Sequence, residues 1–252
     1  MNFSKITNFM DSLSGFGIPG ADLAVFLKGK EVYRYRVGFA DLEKKTKITN
    51  DTLYAIWSMT KVVTCVAALR LFEEGRYLLN DPLYEYMPEF KDMTIRHARG
   101  NGEFEEKPAK NPIRIKDLFT MSSGFSYDVF DKNEYVLRAG GNIKLQDLVK
   151  IFAAEKLNFE PGTRWRYGVS HDILGALIEV LSGKRLGQYF EDYIFAPLDM
   201  KDTGFKVPKS KHHRIATCYT YDEINKTHAN INIFIIHKYI NKPNTLQENS
   251  SF

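Results

Sequence analysis

Ser58 and Lys61 stand three residues apart in the stretch Trp57-Ser58-Met59-Thr60-Lys61. A serine hydroxyl is a poor nucleophile at its free pKa and needs a base to take its proton. A lysine amine is that base when it is neutral, and burial or a cationic neighbourhood lowers its pKa toward that state. Residues three apart on a helix share a face, so a helix opening at Ser58 would hold hydroxyl and amine together. The helix N-terminus would add partial positive charge, which favours an anionic oxygen there. The competing role is plain: Ser58 as a helix cap, with Lys61 as a solvated surface charge. Two features favour chemistry. Ser58-x-x-Lys61 occurs once in the chain, and it sits where the extended stretch 52–57 meets an apolar-periodic helix.

A second candidate lies in PGTRWRYGVSHDILG, residues 161–175, where Tyr167 stands on a loop just before a helical pattern. A hydrogen-bonded or ionised tyrosine relays a proton between nucleophile and leaving group. The alternative is an ordinary packing aromatic, in a chain with 14 Tyr.

These residues need elements to position them. Residues 21–40 read as a β-hairpin, with Ala24, Phe26 and Val32 in a β-prone alternation and Lys28-Gly29-Lys30 at the turn. At 58–74 the period changes: Met59, Val62, Val63, Val66, Leu69 and Phe72 recur at helical spacing, and Gly75 is placed to end the helix. After the Asp81-Pro82 turn the middle of the chain reads as short helices and loops, with helical patterns at 115–121, 144–155, 171–182 and 186–195. This predicts an α/β plus all-α chain. Residues 1–57 form the first part of an α/β sheet domain, 58–205 a helical domain, and 206–252 the remainder of the sheet domain with an atypical tail. From Asn225 onward Asn, Ile and Lys dominate, and INIFII at 231–236 is a short apolar β-prone run.

Composition narrows the function classes. The 252 residues are 44% hydrophobic and 26% charged, an ordinary globular composition. The net charge of +4 is spread rather than clustered, so no nucleic-acid surface is expected. Two cysteines, Cys65 and Cys218, make no disulfide framework, and Cys65 among valines reads as a buried, inert thiol. The N-terminal stretch has no apolar signal region and no run is long enough to span a membrane, so a cytoplasmic location is expected. Adjacent His212 and His213 rarely converge on one ion, so no metal or other cofactor is expected. RGNGE at 99–103 lacks the context of a phosphate cradle, and Glu103, Glu105 and Glu106 read as a solvated face. Oligomeric state stays open.

Three stretches together carry a resemblance. Ser58-Met59-Thr60-Lys61, LFTMSSGF at 118–125, and PGTRWRYGVSHDILGALIEVLSG at 161–183 followed by YIFAPLDMKDTGF at 193–205 resemble the serine β-lactamase-related family. That family includes class C β-lactamases, D-alanyl-D-alanine carboxypeptidases and family VIII carboxylesterases. The resemblance runs from about residue 15 to about residue 224. It implies a β-lactamase/transpeptidase-like fold and a small-molecule acyl substrate processed through an acyl-enzyme. Ser58 would be the nucleophile. Lys61 would take its proton or hold Tyr167 in its reactive form. Tyr167 would pass the proton to the leaving group and later activate water, and which of the two is the primary base stays open. The Ser58 N–H would be one oxyanion donor.

The sequence also departs from the family. The second motif is usually Tyr-x-Asn, whose Asn binds a substrate amide; here it reads Tyr167-Gly168-Val169. Valine offers no hydrogen bond, and Ser170 beside it is the hydroxyl that could compensate. Val169 and Ser170 are therefore the expected substrate-binding positions, and esters are favoured over penicillins. The third motif, Lys-Thr-Gly or His-x-Gly, has no counterpart. Lys226-Thr227-His228 follows too closely after Tyr167 and puts histidine where glycine lets a backbone approach a ligand. The family domain is also usually longer, so an incomplete sheet is expected. With it comes an alternative: a weak or inactive family member, or one completed by strands from a second chain.

Overall fold

The computed structural model describes residues 1–99, 104–128 and 143–231. Residues 232–236 of the INIFII run and 100–103 of the RGNGE loop lie outside them. The described chain divides into two compact units, one built from Met1–Ile56 with 206–231 and the other from Trp57–Phe205.

The first unit begins with helix α1 (Ser4–Ser12) and continues into strands β1 (Gly20–Leu27) and β2 (Lys30–Asp41). The two strands form the hairpin expected at 21–40. Lys28 and Gly29 between them have φ of 49° and 76°. Two successive left-handed residues make the tight turn whose twist matches paired strands. The expected alternation holds less well, because Phe26 near the turn is 63% exposed. Strand β3 (Thr46–Lys47) adds to β2, giving the order β1-β2-β3. Further along the chain, β6 (Cys218–Asp222) and β7 (Thr227–Ile231) form a separate hairpin. Lys226-Thr227-His228 lies at its turn, and His228 Nε2 is 2.8 Å from the Gly17 carbonyl. These residues are therefore absorbed in the packing of this hairpin.

The second unit is helical around one hydrophobic core. It holds α2 (Thr60–Glu73), α3 (Ile115–Phe119), α4 (Leu145–Ala153), α5 (Ser170–Ser182) and α6 (Leu186–Phe190). The pattern at 186–195 is not one regular helix: α6 passes into a widened π-type turn, Glu191–Phe195. Helix α5 packs against α2, α3, α4 and α6. Its Ile173, Leu174, Leu177 and Ile178 recur every three to four residues and are at most 1% exposed. Gly183, with φ 69°, closes it in the left-handed conformation that lets a helix end.

Two expectations are corrected here. Helix α2 forms where its periodicity predicts, yet the wrong face stood out in the sequence. Met59, Val62, Val66 and Leu69 are 62%, 67%, 50% and 42% exposed, while Thr64, Ala67, Ala68 and Leu71 are buried. The small side chains of Ala67 and Ala68 let the α2 backbone lie close to its neighbour, which larger side chains on that face would prevent. The second correction is a β-ribbon, β4 (Thr94–Ala98) with β5 (Phe104–Pro108), in a region read as helices and loops. Its sequence is largely polar and shows no apolar alternation. Glu105 pairs with Arg99 at 2.7 Å and with Lys107, and Glu106 pairs with Lys156.

Among the described residues no helix is long and apolar enough to cross a membrane. Nor does any group of three or more His, Cys, Asp and Glu among them converge on a metal position. His212 donates from Nε2 to the Val207 carbonyl at 2.9 Å.

Candidate active site

The nucleophile candidate sits on a strained corner. Trp57–Met59 form a 3₁₀ turn that runs into α2, and Trp57 has φ 46°. A bulky non-glycine residue held there costs of order 1–3 kcal/mol and persists only where its surroundings enforce it. Met59 occupies the cap position of α2, and no side chain caps the helix. The Ser58 hydroxyl is therefore not spent on capping. It accepts instead from Lys61 Nζ at 3.4 Å, a long contact of the kind that tightens when a ligand completes a site.

Two loops provide the opposite wall. The turn after α3 uses Met121 and Gly124 at φ 57° and 98°. It is pinned to the 158–168 segment by backbone bonds from Gly162 to Ser122, from Arg166 to Met121 and from Asn158 to Gly124, of 2.9, 2.9 and 2.8 Å. Asn158 Nδ2 also donates to Ser126 Oγ at 3.1 Å. At Gly168 the loops approach so closely that a Cβ would stand 2.6 Å from the Ser126 Cα. This clamp brings Tyr127 and Tyr167, the residues flanking the contact, edge to face with ring centroids 5.6 Å apart.

The four polar groups meet there. Lys61 Nζ donates to the Tyr127 hydroxyl at 3.0 Å and lies 5.0 Å from the Tyr167 ring centroid. The Tyr167 ring lies beside Lys61 and Tyr127, and its hydroxyl responds electrostatically to Ser58, Lys61 and Tyr127. The structure thus brings together Ser58, Lys61 and Tyr167, the three residues singled out as catalytic. It adds Tyr127, which sequence reasoning missed. The only hint was its place, two residues beyond the SSGF turn of the 118–125 stretch.

Electrostatics separates these groups. Burial lowers the Lys61 pKa, but the hydrogen bond and charge of Tyr127, with Asp172 and Tyr167, more than offset it and hold the amine above its ordinary value. Tyr167 moves down: the neighbouring Ser58 hydroxyl is the largest cause, burial opposes it, and the Lys61 charge and the polar groups of Lys61 and Tyr127 add to it. Tyr127 moves up, because burial outweighs the bond and charge of Lys61. Asp172, in the first turn of α5, is pushed up to about 6 by burial, with the Lys61 charge opposing. His171 is lowered by burial. Its Nε2 lies 3.2 Å from the Phe119 carbonyl and 3.5 Å from Cys65 Sγ. Cys65 is half-buried, and burial pushes its thiol up, away from the reactive thiolate.

Val169 and Ser170 do not face the site. Both are 0% exposed. Val169 joins the hydrophobic core, and Ser170 Oγ is paired with Ser123 Oγ at 2.8 Å. The expected substrate-binding role of these two residues is corrected: the tight turn at Gly168 that presents Tyr167 outward sends the next two side chains inward.

Comparison with known proteins converges on one family. The family profile described as Beta-lactamase matches residues 4–232. The chain belongs to the Beta-lactamase family. Protein flp of Staphylococcus aureus (strain MW2) is 33% identical to it over 201 residues, which cover 79% of this chain and 37% of flp. Simvastatin synthase (LovD) from Aspergillus terreus superimposes with a TM-score of 0.76 at 24% identity, covering 94% of this chain and 62% of LovD. EstCE1, described as a hydrolase with promiscuous acyltransferase activity, gives a TM-score of 0.74 at 24% identity, covering 91% and 59%. The fold is therefore β-lactamase/transpeptidase-like. The chain spans less than two thirds of the length of each of these proteins, from 37% of flp to 62% of LovD.

Proposed function

We propose that the chain is a serine acyl hydrolase that processes small esters through an acyl-enzyme on Ser58. The observation that carries this reading is that Lys61 Nζ reaches the Ser58 hydroxyl at 3.4 Å and lies 5.0 Å from the Tyr167 ring centroid, with the lysine pKa raised and the tyrosine pKa lowered. Groups whose environments push their pKa values apart divide acid and base roles between them. On this reading Lys61 stays an ammonium and Tyr167 is the base. Ser58 Oγ attacks the ester carbonyl carbon while its proton passes to the Tyr167 phenolate. The tetrahedral oxyanion collapses, the bond to the leaving oxygen breaks, and Tyr167 returns the proton to the departing alcohol. Water then gives a proton to Tyr167, its oxygen adds to the acyl carbon, and Ser58 leaves with the proton restored. The Ser58 N–H, at the mouth of α2, faces the developing negative charge.

With Val169 and Ser170 buried, the segment after Tyr167 presents no amide-binding side chain, which favours esters over amides. The description of EstCE1 as a hydrolase with acyltransferase activity supports the same chemistry. The test is turnover of short-chain p-nitrophenyl esters by the wild-type chain and by Ser58→Ala. The reading expects a loss of roughly 1,000-fold or more in the variant. Equal turnover in both would contradict it.

A further inference from the structure

We propose that Trp165 is a specificity-determining residue whose indole stacks on a flat aromatic group of the ester attacked by Ser58. The inference rests on the reading above and deepens it by naming the substrate class. Trp165 and Tyr167 stand two residues apart on one loop, with ring centroids 6.4 Å apart and planes inclined at 36°. Tyr167 in turn meets Tyr127 edge to face at 5.6 Å. The three rings form a row, with Tyr167, the proposed base, in the middle. One end of the row is engaged, because the Tyr127 hydroxyl accepts the Lys61 hydrogen bond at 3.0 Å. The other end is open: Trp165 is 69% exposed.

Single exposed apolar side chains are common and need no explanation. Trp165 differs in its ring neighbours and in how firmly its backbone is held. Gly162 N–H donates to the Ser122 carbonyl and Arg166 N–H to the Met121 carbonyl, both at 2.9 Å, so the chain is anchored on either side of the indole. Thr163 Oγ1 donates to the Glu160 carbonyl at 2.7 Å, and the Arg166 side chain pairs with Asp128 at 3.3 Å. A large aromatic surface already held in place loses little further freedom when a ligand covers it. Val169 and Ser170 are buried, so what this loop offers a substrate beside Tyr167 is the face of an indole. An aromatic ring in offset or edge-on contact with an indole gains attraction beyond its buried area, and a saturated ring of the same size does not. The wall therefore selects aryl-bearing esters over their cyclohexyl counterparts.

The test compares the full wild-type chain with Trp165→Leu and Trp165→Phe, once circular dichroism has checked that each folds. Ethyl benzoate against ethyl cyclohexanecarboxylate probes an aryl group on the acyl side. Benzyl acetate against cyclohexylmethyl acetate probes one on the alcohol side. Comparing each ester between chains cancels its intrinsic reactivity. In one of these arms Trp165→Leu should lower kcat/KM for the aromatic ester about 3- to 10-fold more than for its saturated partner, and Trp165→Phe should restore most of the difference. KM should carry the change, because stacking away from the carbonyl is made before attack and during it alike. Equal losses for aromatic and saturated esters in both arms would overturn the inference and leave Ser58-dependent hydrolysis standing. Saturation-transfer NMR of the same four esters with Ser58→Ala, alone and combined with Trp165→Leu, needs no turnover. It should show an aromatic ester bound to Ser58→Ala and held more weakly by the double variant. That result, beside a wild-type chain that hydrolyses no ester, keeps the stacking role and removes the hydrolase reading. No binding of either aromatic ester, or binding that the double variant leaves unchanged, overturns the inference.

Discussion

Helices α5 and α2 flank the same cluster of polar groups and are covered in opposite ways. The Ile173–Ile178 stretch of α5 is enclosed by other helices, so the turn that presents Tyr167 rests on a closed core. Helix α2 presents Ser58 and Lys61 from its first turn, yet only its narrow face of Thr64, Ala67, Ala68 and Leu71 is buried. Its branched residues Val62 and Val66 face outward. The difference teaches that apolar periodicity locates a helix but does not choose its buried face. Close helix contact selects small residues, and large apolar ones are then left outside unless something else covers them.

The comparison can be broken most forcefully on α5. Leu177→Ala removes a side chain that is 1% exposed, and should cost about 2–5 kcal/mol in denaturant unfolding. A loss near that of a surface substitution would mean that α5 is not the closed side. Acid–base behaviour at the same helix is the next largest effect. Asp172 has a folded-state pKa of about 6. Its unfolded value lies near ~3.9, so the folded state binds the extra proton between the two. That contribution to stability is complete below about pH 4 and is lost as pH rises through about 6, with a change of up to ~3 kcal/mol. Unfolding free energies measured across that window should fall with pH in the wild-type chain and flatten in Asp172→Asn.

Gly168→Ala probes the clamp between the two loops. The new methyl would stand 2.6 Å from the Ser126 Cα, so one loop must shift. The expected cost is about 1–3 kcal/mol, read as a lowered Tm, with weakened ester turnover as Tyr127 and Tyr167 separate. The smallest effect belongs to the bare side. Val66→Lys on α2 should change stability by no more than about 0.5 kcal/mol and reduce binding of an apolar dye. A destabilisation of several kcal/mol there would show that this face is covered in solution.

Much of the fold was legible because its signals are local. The left-handed pair Lys28 and Gly29 marked the first hairpin, and Gly183 marked the end of α5. The β4–β5 ribbon was not legible, since its strands are mostly polar and charged and show no apolar alternation. At the site, Ser58, Lys61 and Tyr167 carried a spacing or a motif, and the structure brings them together. Tyr127 had neither, because its place beside Lys61 and Tyr167 depends on a loop contact at Gly168 that no spacing encodes. Val169 and Ser170 were misplaced for the same reason: a single tight turn decides which side chains face outward.

The measurement that tests the central claim most directly is intact-mass analysis after incubation with a fluorophosphonate, run on the wild-type chain and on Ser58→Ala, with peptide mapping of any adduct. The account predicts one adduct on Ser58 in the wild-type chain and none in the variant. A cooperatively folded wild-type chain that takes no label, or a label that persists in Ser58→Ala, would contradict it.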